Sequence, residues 1–237
     1  TQQRNFAAFM SQVTFSWFDL QLSSPGDILL TCNAVADGSG SFATTGGTAP
    51  FTFTIDSNTS GATTSTTATS LDFTNAGPGD LAITVTDANG CSVSQSITIT
   101  EPPAIVIDSE ATTDATCDGV SDGSVTVTAS GGSGTLSYTI LPIGTTNTTG
   151  TFTGLAAGDY TVEITDLNLC GPTTTSTLTV ASPPAIVIDN TIATDVTCNS
   201  GADGQIEVVA SGGTGTLTYT LQPAAASNTT GLFPGLT

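Results

Sequence analysis

The chain has 237 residues, of which 20 are acidic and one, Arg4, is basic, so its formal net charge at pH 7 is -19. It therefore lacks the Lys and Arg residues that bind nucleic-acid phosphates or an anionic membrane surface, and neither is an expected partner. No apolar run approaches the roughly 20 residues of a membrane-spanning helix, which argues against membrane insertion.

Landmarks recur along the chain at intervals of 81–85 residues, which indicates a tandem array. The heptapeptide Pro-Pro-Ala-Ile-Val-Ile-Asp begins at Pro102 and again at Pro183, and Asp-Gly and Gly-Gly pairs keep nearly the same spacing. We therefore predict an aromatic N-terminal extension and three repeats, the third of them incomplete. Their bounds are residues 1–18, 19–101, 102–182 and 183–237. We expect the chain to be part of a longer protein.

The N-terminal extension is rich in aromatic residues, and Val13, Phe15 and Trp17 alternate with polar ones. One interpretation is a strand that closes the free end of the first repeat, because terminal repeats usually need capping. The alternative is a strand that docks on a partner or another subunit, with Phe15, Trp17 and Phe18 as the contact residues. A disordered leader is the third interpretation.

Short segments of alternating apolar and polar residues predict six strands in the second repeat, separated by clusters of Gly, Asp, Asn and Pro. In chain order they are Ala104–Asp108, Ser124–Ala129, Thr135–Leu141, Thr151–Leu155, Asp159–Thr165 and Ser176–Val180. This pattern predicts an all-β fold of tandem immunoglobulin-like β-sandwich domains stacked end to end as a rod. Tyr160, at the start of the penultimate strand, is a candidate tyrosine corner.

Pro-Pro pairs lie where one repeat passes into the next, at Pro102 and Pro103 and again at Pro183 and Pro184. Proline fixes φ and stiffens the chain, so each pair predicts a short semi-rigid hinge.

Each complete repeat holds two cysteines in equivalent positions, which predicts the disulfides Cys32–Cys91 and Cys117–Cys170. Cys198 belongs to the truncated third repeat and is left without a partner. Paired cysteines in small β-rich units indicate an oxidising compartment. The alternatives are reduced, buried thiols and, much less favoured, a zinc site, since the chain has no His and no Cys-x-x-Cys pair.

The combination of these motifs resembles the SprB-type repeat of bacterial gliding-motility cell-surface adhesins. The second repeat carries most of it, in "TCDGVSDGSVTVTASGGSGTLSYTI" and "GLAAGDYTVEITDLNLC", and the third carries "TCNSGADGQIEVVASGGTGTLTYTL". The resemblance implies very long extracellular proteins, exported by the type IX secretion system, whose repeats form an extended filament. The partners to consider are neighbouring repeats or subunits, surface polysaccharide and the cell-surface anchoring machinery.

No group of residues predicts catalysis, because no His or Lys is present to activate the many Ser and Thr hydroxyls. The best ligand candidate is a loop found in every repeat, where Asn or Asp lies four residues before the Asp of an Asp-Gly pair. Its oxygens suit Ca²⁺, but a turn is favoured because Ca²⁺ takes about six or more oxygen ligands. The candidate ligands are Asn33 and Asp37, Asp118 and Asp122, and Asn199 and Asp203. No other cofactor is expected.

Asn58, Asn147 and Asn228 each open an Asn-x-Ser/Thr triplet in the same loop of successive repeats. This is the pattern of a glycan acceptor, and turn composition explains it at least as well.

We expect a structural role without enzyme activity, as the stalk of a long extracellular adhesin or surface filament in gliding motility or surface attachment. The first alternative is a polymerising fibre subunit, joined to its neighbour by β-strand addition through the N-terminal segment. The second alternative is a non-catalytic module of a secreted polysaccharide-degrading enzyme.

Overall fold

The computed structural model describes residues 19–237, and these residues form 21 β-strands and no helix. The all-β prediction is therefore confirmed. The predicted N-terminal extension, residues 1–18, and its candidate contacts Phe15, Trp17 and Phe18 lie outside the described residues. The described part of the chain contains no helix that is long and apolar enough to span a membrane.

The chain divides into two compact units. The first holds the residues up to Val106 together with two short segments, 131–136 and 165–171. The second holds Ile107–Ser130, Ser137–Ile164 and Pro172–Thr237. Three segments of the second sequence repeat, 102–106, 131–136 and 165–171, thus pack within the first unit, so compactness and sequence period divide the chain differently. The repeat boundaries at 102 and 183 stay sequence predictions.

The first unit is a sandwich of two four-stranded sheets. Its strands within the described residues are β1 Gln21–Ser23, β2 Ile28–Leu29, β3 Gly38–Thr45, β4 Thr52–Asn58, β5 Thr63–Thr66, β6 Ser70–Ala76, β7 Gly79–Thr86 and β8 Ser92–Thr100. One sheet has the order β1-β3-β6-β5 and the other β2-β8-β7-β4. The short strand β2 runs parallel to β8, whereas the other pairs are antiparallel. The chain therefore changes sheets between β1 and β2.

The core of this sandwich follows from alternation along the strands, since every second residue points to the same face. Phe42 and Phe73 of one sheet and Leu81 and Ile83 of the other are at most 1% exposed and belong to one apolar cluster. The rings of Phe42 and Phe73 lie 5.9 Å apart. Each such side chain stabilises the fold by about 1.5–3 kcal/mol when fully buried.

In the sequence Phe51, Phe53 and Ile55 alternate with threonine, which predicts that all three face inward, but Ile55 departs from this pattern. Phe51 and Phe53 pack against the core, but Ile55 is 41% exposed. The register between β4 and β7 shifts between Ile55 and Ser57. Asp56 is the extra residue, and it disrupts the ladder locally beside Ile55.

The rest of the chain contains two further pairs of sheets. Its strands within the described residues are β9 Val106–Thr113, β10 Gly123–Ser130, β11 Ser137–Leu141, β12 Thr145–Asn147, β13 Thr151–Leu155, β14 Gly158–Thr165, β15 Thr173–Thr174, β16 Leu178–Val180, β17 Val187–Thr194, β18 Gly204–Ser211, β19 Tyr219–Leu221, β20 Ala226–Asn228 and β21 Leu232–Leu236. The second repeat has the sheets β13-β10-β9 and β12-β11-β14-β15, with β16 also paired to β14. The third repeat has β17-β18-β21 and β19-β20.

All six strands predicted for the second repeat are present, and the immunoglobulin-like β-sandwich prediction is confirmed. The first of them, β9, begins two residues later than predicted and runs on to Thr113. The strands β12 and β15 were not predicted, because runs of two or three polar residues show no alternation. Val127, Ile140 and Val162 form part of the buried core of this repeat, each fully buried.

The tyrosine corner is also confirmed. The hydroxyl of Tyr160 donates a hydrogen bond of 2.9 Å to the carbonyl oxygen of Ala156, four residues upstream. The first repeat has Leu81 at this place, fully buried and without a polar end.

The recurring Gly-Gly pair has a steric reason. Gly131 and Gly212, the first glycines of their pairs, both have φ of 87°, a conformation that only glycine adopts at little cost. A Cβ at these positions would collide with the carbonyl oxygens of Ala104 and Ala185, which lie two residues before the first strands of their repeats. Each pair therefore lets two segments of backbone approach closely.

Candidate functional site

The disulfide of the structure joins Cys32 to Cys170, with 5.6 Å between their Cα atoms. The predicted pairs Cys32–Cys91 and Cys117–Cys170 are therefore wrong. Among the described residues Cys91, Cys117 and Cys198 are free and exposed. The bond belongs wholly to the first compact unit, since residues 165–171 pack there.

The length of β8 explains why the predicted pairing fails. The amide of Leu30 donates to the carbonyl of Thr100, so Cys32 follows a segment bound to the end of β8. Cys91 precedes the start of the same strand, which has nine residues and so spans about 30 Å. A disulfide needs Cα atoms within about 7 Å. The two cysteines of one repeat thus lie at opposite ends of its sandwich.

Cys170 lies in a tight turn, residues 166–170, that we call the Asp-Cys turn. Asp166 is 2% exposed, and its Oδ1 accepts hydrogen bonds of 2.9 Å from the amides of Asn168 and Cys170. Its Oδ2 accepts a hydrogen bond of 2.7 Å from the amide of Ser133. The side-chain amide of Asn168 donates to the carbonyl of Thr31 at 3.0 Å. The turn is thus held by hydrogen bonds as well as by the disulfide.

The first repeat carries the same turn at residues 87–91. Oδ1 of Asp87 accepts hydrogen bonds of 2.9 Å from the amides of Asn89 and Cys91, and its Oδ2 accepts one of 3.1 Å from the amide of Thr48. Burial alone would raise the pKa of Asp87, but the bonds from the amides of Cys91, Thr48 and Asn89 outweigh it and lower the pKa below its ordinary value of 3.8. Asp87 and Asp166 are turn residues, as the sequence suggests.

The predicted hinge prolines are fixed by hydrogen bonds at their carbonyl groups. Pro102 is buried, and its carbonyl accepts a hydrogen bond of 3.1 Å from the side-chain amide of Asn33. The carbonyl of Pro103 accepts a hydrogen bond of 2.8 Å from the amide of Gly132. The carbonyl of Pro184 accepts a hydrogen bond of the same length from the amide of Gly213. These bonds restrict the joints beyond what the proline rings do. A semi-rigid hinge stays a prediction.

A second recurring element is the Thr-Cys loop, residues 31–38, 116–123 and 197–204. In each copy the threonine before the cysteine donates both its amide and its hydroxyl to the carboxylate six residues later. The pairs are Thr31–Asp37, Thr116–Asp122 and Thr197–Asp203. Between Thr116 and Asp122 the two distances are 2.9 and 2.6 Å. The bond from the threonine hydroxyl, followed by that from its amide, lowers the pKa of Asp122 and of Asp203.

The carboxylates predicted as calcium ligands therefore close their own loops. Asn33 is bound to the Pro102 carbonyl, and the structure does not bring Asp118 or Asn199 into contact with these carboxylates. In residues 19–237 no three His, Cys, Asp or Glu side chains are grouped as a metal site would need. The hydrogen bonds that these carboxylates accept from their own loops are those expected for a turn, the alternative interpretation. Calcium binding stays an untested prediction.

The asparagines of the Asn-x-Ser/Thr triplets also close turns. Oδ1 of Asn147 accepts hydrogen bonds of 3.0 and 2.8 Å from the amides of Thr149 and Gly150, and its side-chain amide donates 2.9 Å to the Thr151 carbonyl. Asn228 repeats this arrangement. Turn formation thus accounts for the triplets without a glycan.

The third repeat contains an apolar groove of about 330 Å³. Its walls include Tyr219 and Leu221 of β19 and Phe233 of β21. In the second repeat Tyr138 and Ile140, at the positions of Tyr219 and Leu221, are 6% and 0% exposed, because β14 lies beside β11. Within the described chain β19 pairs with β20 alone. The groove is therefore the place that β14 fills one repeat earlier.

Comparison with known families supports the period found in the sequence. The family model described as the SprB repeat matches residues 109–145 and residues 190–226. Both of these segments are similar to the SprB repeat. The two matched SprB segments begin 81 residues apart, like Pro102 and Pro183, and the predicted resemblance is confirmed. The first repeat, residues 19–101, lies outside both matches. A search of curated proteins found no match.

Solved structures with a similar fold are multidomain chains. Three immunoglobulin domains of titin, in an E-to-A variant, are 15% identical, with 84% of this chain and 77% of that chain covered and a TM-score of 0.49. Eight immunoglobulin domains of Down Syndrome Cell Adhesion Molecule are 14% identical, with coverage of 85% and 29% and a TM-score of 0.39. Domains 4–9 of a surface layer protein are 16% identical, with coverage of 86% and 39% and a TM-score of 0.32.

Two parts of this site were not predicted from the sequence. One is the threonine that precedes each loop cysteine, and its signal was the dipeptide Thr-Cys at Thr31, Thr116 and Thr197. The other is the Asp-Cys turn as a partner of that loop. Its signal was the pattern Asp-x-Asn-x-Cys, which occurs at Asp87 and Asp166.

Proposed function

We propose that the chain is a structural segment of the stalk of a long extracellular adhesin or surface filament. The observation that carries this proposal is the SprB repeat, found twice at a spacing of 81 residues in a chain whose described residues all belong to β-sandwiches or their joints. The SprB-type repeat is known from cell-surface adhesins, and a chain of small cored units suits a role as a spacer. Gliding motility, surface attachment and export by type IX secretion are parts of this proposal.

Two further observations favour an extracellular structural role. A disulfide forms and persists mainly in oxidising compartments, and Cys32 and Cys170 are bonded. The carboxylates of the recurring loops, such as Asp122 and Asp166, accept hydrogen bonds from their own loops or turns. They are held as structural groups, so we propose no catalytic role for them.

The alternation of apolar and polar residues at Val13, Phe15 and Trp17 favours a second candidate function, that of a polymerising fibre subunit. A strand with apolar residues at alternate positions would complete the sheet beside Tyr219 and Leu221, as β14 does in the second repeat. In this hypothesis the strand comes from the N-terminal segment of another copy, in which Val13, Phe15 and Trp17 alternate with polar residues.

Sedimentation of the full chain separates the two candidates. The free thiols are first alkylated, so that no disulfide can form between copies. The stalk hypothesis predicts a 23.5 kDa monomer at every concentration tested. The fibre hypothesis predicts polymers that grow with concentration and disappear when residues 1–18 are removed. Such polymers would contradict the stalk hypothesis.

A further inference from the structure

The Cys32–Cys170 bond connects two kinds of element that recur in the chain. Cys32 belongs to the Thr-Cys loop of the first repeat, and Cys170 belongs to the Asp-Cys turn of the second. The Asn168 side chain adds a hydrogen bond of 3.0 Å to the carbonyl of Thr31. The loop of one repeat thus binds the turn of the repeat that follows it in the sequence.

The Asp-Cys turn also rests on the beginning of its own repeat. The amide of Ser133 donates a hydrogen bond of 2.7 Å to Oδ2 of Asp166. A Cβ added to Gly132 would lie 3.1 Å from the Cβ of Asp166. The same Cβ would lie 3.1 Å from a side-chain carbon of Ile105. In this joint the turn therefore fills the space bounded by Cys32, Ile105 and residues 132–133.

One repeat later, the equivalent space is a cavity of about 380 Å³ within the second compact unit. Its walls include Cys117, Pro184, Ile186, Gly213 and Thr214. These residues occupy the positions of Cys32, Pro103, Ile105, Gly132 and Ser133 in the repeat frame. The thiol of Cys117 is free and exposed, so the cavity has the loop cysteine and the walls of the first joint.

We propose that this cavity binds an Asp-x-Asn-x-Cys turn of the kind that residues 166–170 form, and that the cysteine of this turn forms a disulfide with Cys117. The repeats would then be joined by a staggered series of disulfides, each running from a Thr-Cys loop to the turn of the following repeat. Cys198 has the position of a loop half-site, and Cys91, in a turn already shaped by Asp87, has the position of a turn half-site.

The reaction needs an oxidant, for which a small-molecule disulfide such as oxidised glutathione suffices. The Cys117 thiolate attacks that disulfide and releases one thiol, and the turn cysteine then attacks the mixed disulfide and releases the second. Two protein thiols and one small disulfide thus give one protein disulfide and two small thiols. This proposal does not depend on the adhesin role.

Completing the third repeat tests the proposal. A copy of residues 157–182 is added after Thr237, because Thr237 occupies the position of Ala156 in the repeat frame. After oxidative refolding in glutathione, peptide mapping should show the added cysteine bonded to Cys117, with Cys198 still free. In the matched variant Cys117→Ser the added cysteine should stay free. A bond between the added cysteine and Cys198 would overturn the proposal, because it would be a pairing within one repeat.

A second measurement needs no extension of the chain. The 237-residue protein is mixed with a peptide of the sequence of residues 163–172 in a glutathione buffer, and its peptide adducts are mapped. Cys91 and Cys198, which are also exposed, are controls without the cavity walls of the following repeat. We expect the adduct to form at Cys117 in about tenfold preference or more, because docking raises the effective concentration of the peptide thiol. Equal labelling of the three cysteines would overturn the proposal.

Discussion

Asp122 is held by two hydrogen bonds from a single residue, the amide and the hydroxyl of Thr116. This pairing repeats at Asp203 with Thr197, and Asp87 accepts three amide bonds in its turn. Hydrogen bonds to the charged form of a carboxyl favour that form. In a chain without His, these carboxylates are the groups through which acidity acts on the fold.

The lowered pKa values fix the direction of the pH dependence. The folded-state pKa of Asp87, Asp122 and Asp203 lies below the ordinary 3.8, so their contribution is complete above about pH 4 and is lost as the pH falls through the folded pKa. We expect the urea midpoint to be nearly constant from about pH 8 to pH 5 and to fall at lower pH. Urea unfolding followed by near-ultraviolet circular dichroism measures this.

A matched pair of variants separates the hydrogen bonds from the general charge. Asp122→Asn and Asp118→Asn remove the same charge from the same loop, but only Asp122 accepts the bonds of Thr116. Asp122→Asn should lower the midpoint at pH 7 and flatten its fall in acid, whereas Asp118→Asn should change little. Equal effects of the two substitutions would show that charge alone matters.

Tyr160 offers a test of one neutral hydrogen bond. Tyr160→Phe removes the 2.9 Å bond to the Ala156 carbonyl and should lower the free energy of unfolding by about 1 kcal/mol. Tyr138→Phe is the control, because Tyr138 is also buried but its hydroxyl makes no hydrogen bond within the described residues. An equal loss in both variants, measured by urea titration, would argue against the tyrosine corner as the cause.

At the scale of elements, the Gly-Gly pair lets the first strand of a repeat meet the loop after the second. Gly131 combines a φ of 87° with a Cβ direction aimed at the Ala104 carbonyl. Gly144 has a φ of 79°, but a Cβ there would meet nothing within 4 Å. The two glycines therefore share a backbone conformation, but only Gly144 has room for a Cβ atom.

Alanine at these two positions should have different costs. Gly144→Ala carries only the left-handed strain of about 1–2 kcal/mol, whereas Gly131→Ala must also displace the Ala104 backbone and should cost more. Thermal and urea unfolding of both variants measure the difference. Gly131→Ala as stable as Gly144→Ala would mean that the close approach is not needed.

The strands were predictable where alternation extends over five or more residues, as in β10 and β14. Alternation could not reveal β12 and β15, which are short and polar. It also could not reveal the register shift beside Ile55, because a bulge depends on pairing with β7 and not on residue type. Tyr160 was predictable because its position at a strand start carries the motif.

The number of cysteines in each repeat was not enough to predict which of them form a disulfide. Two cysteines in each repeat fit a bond within the repeat as well as a bond to the next repeat. Only the path of β8, which separates Cys32 from Cys91 by its whole length, excludes the first. The Asp-x-Asn-x-Cys pattern is visible in the sequence at Asp87 and Asp166. The cysteine that bonds to Cys170, however, belongs to the other repeat. A sequence period does not show which loop of one repeat contacts which turn of the next.

At the scale of the whole molecule, one bond closes a loop with a sequence separation of 138 residues. In the chain-entropy model such a crosslink stabilises the folded state by about 5 kcal/mol. Under tension, the residues between Cys32 and Cys170 cannot extend while the bond is intact, so force passes across it. This property suits a segment that bears load.

Pulling single molecules from their two ends tests this structural role most directly. The oxidised chain should show force peaks as its sandwiches unfold, and its full length should be shorter than that of the reduced chain by roughly 500 Å, at about 3.6 Å per residue. The variant Cys32→Ser should reach the reduced length without a reductant. A chain that extends without force peaks, or that has the same length when oxidised and reduced, would contradict a stalk built from covalently joined repeats.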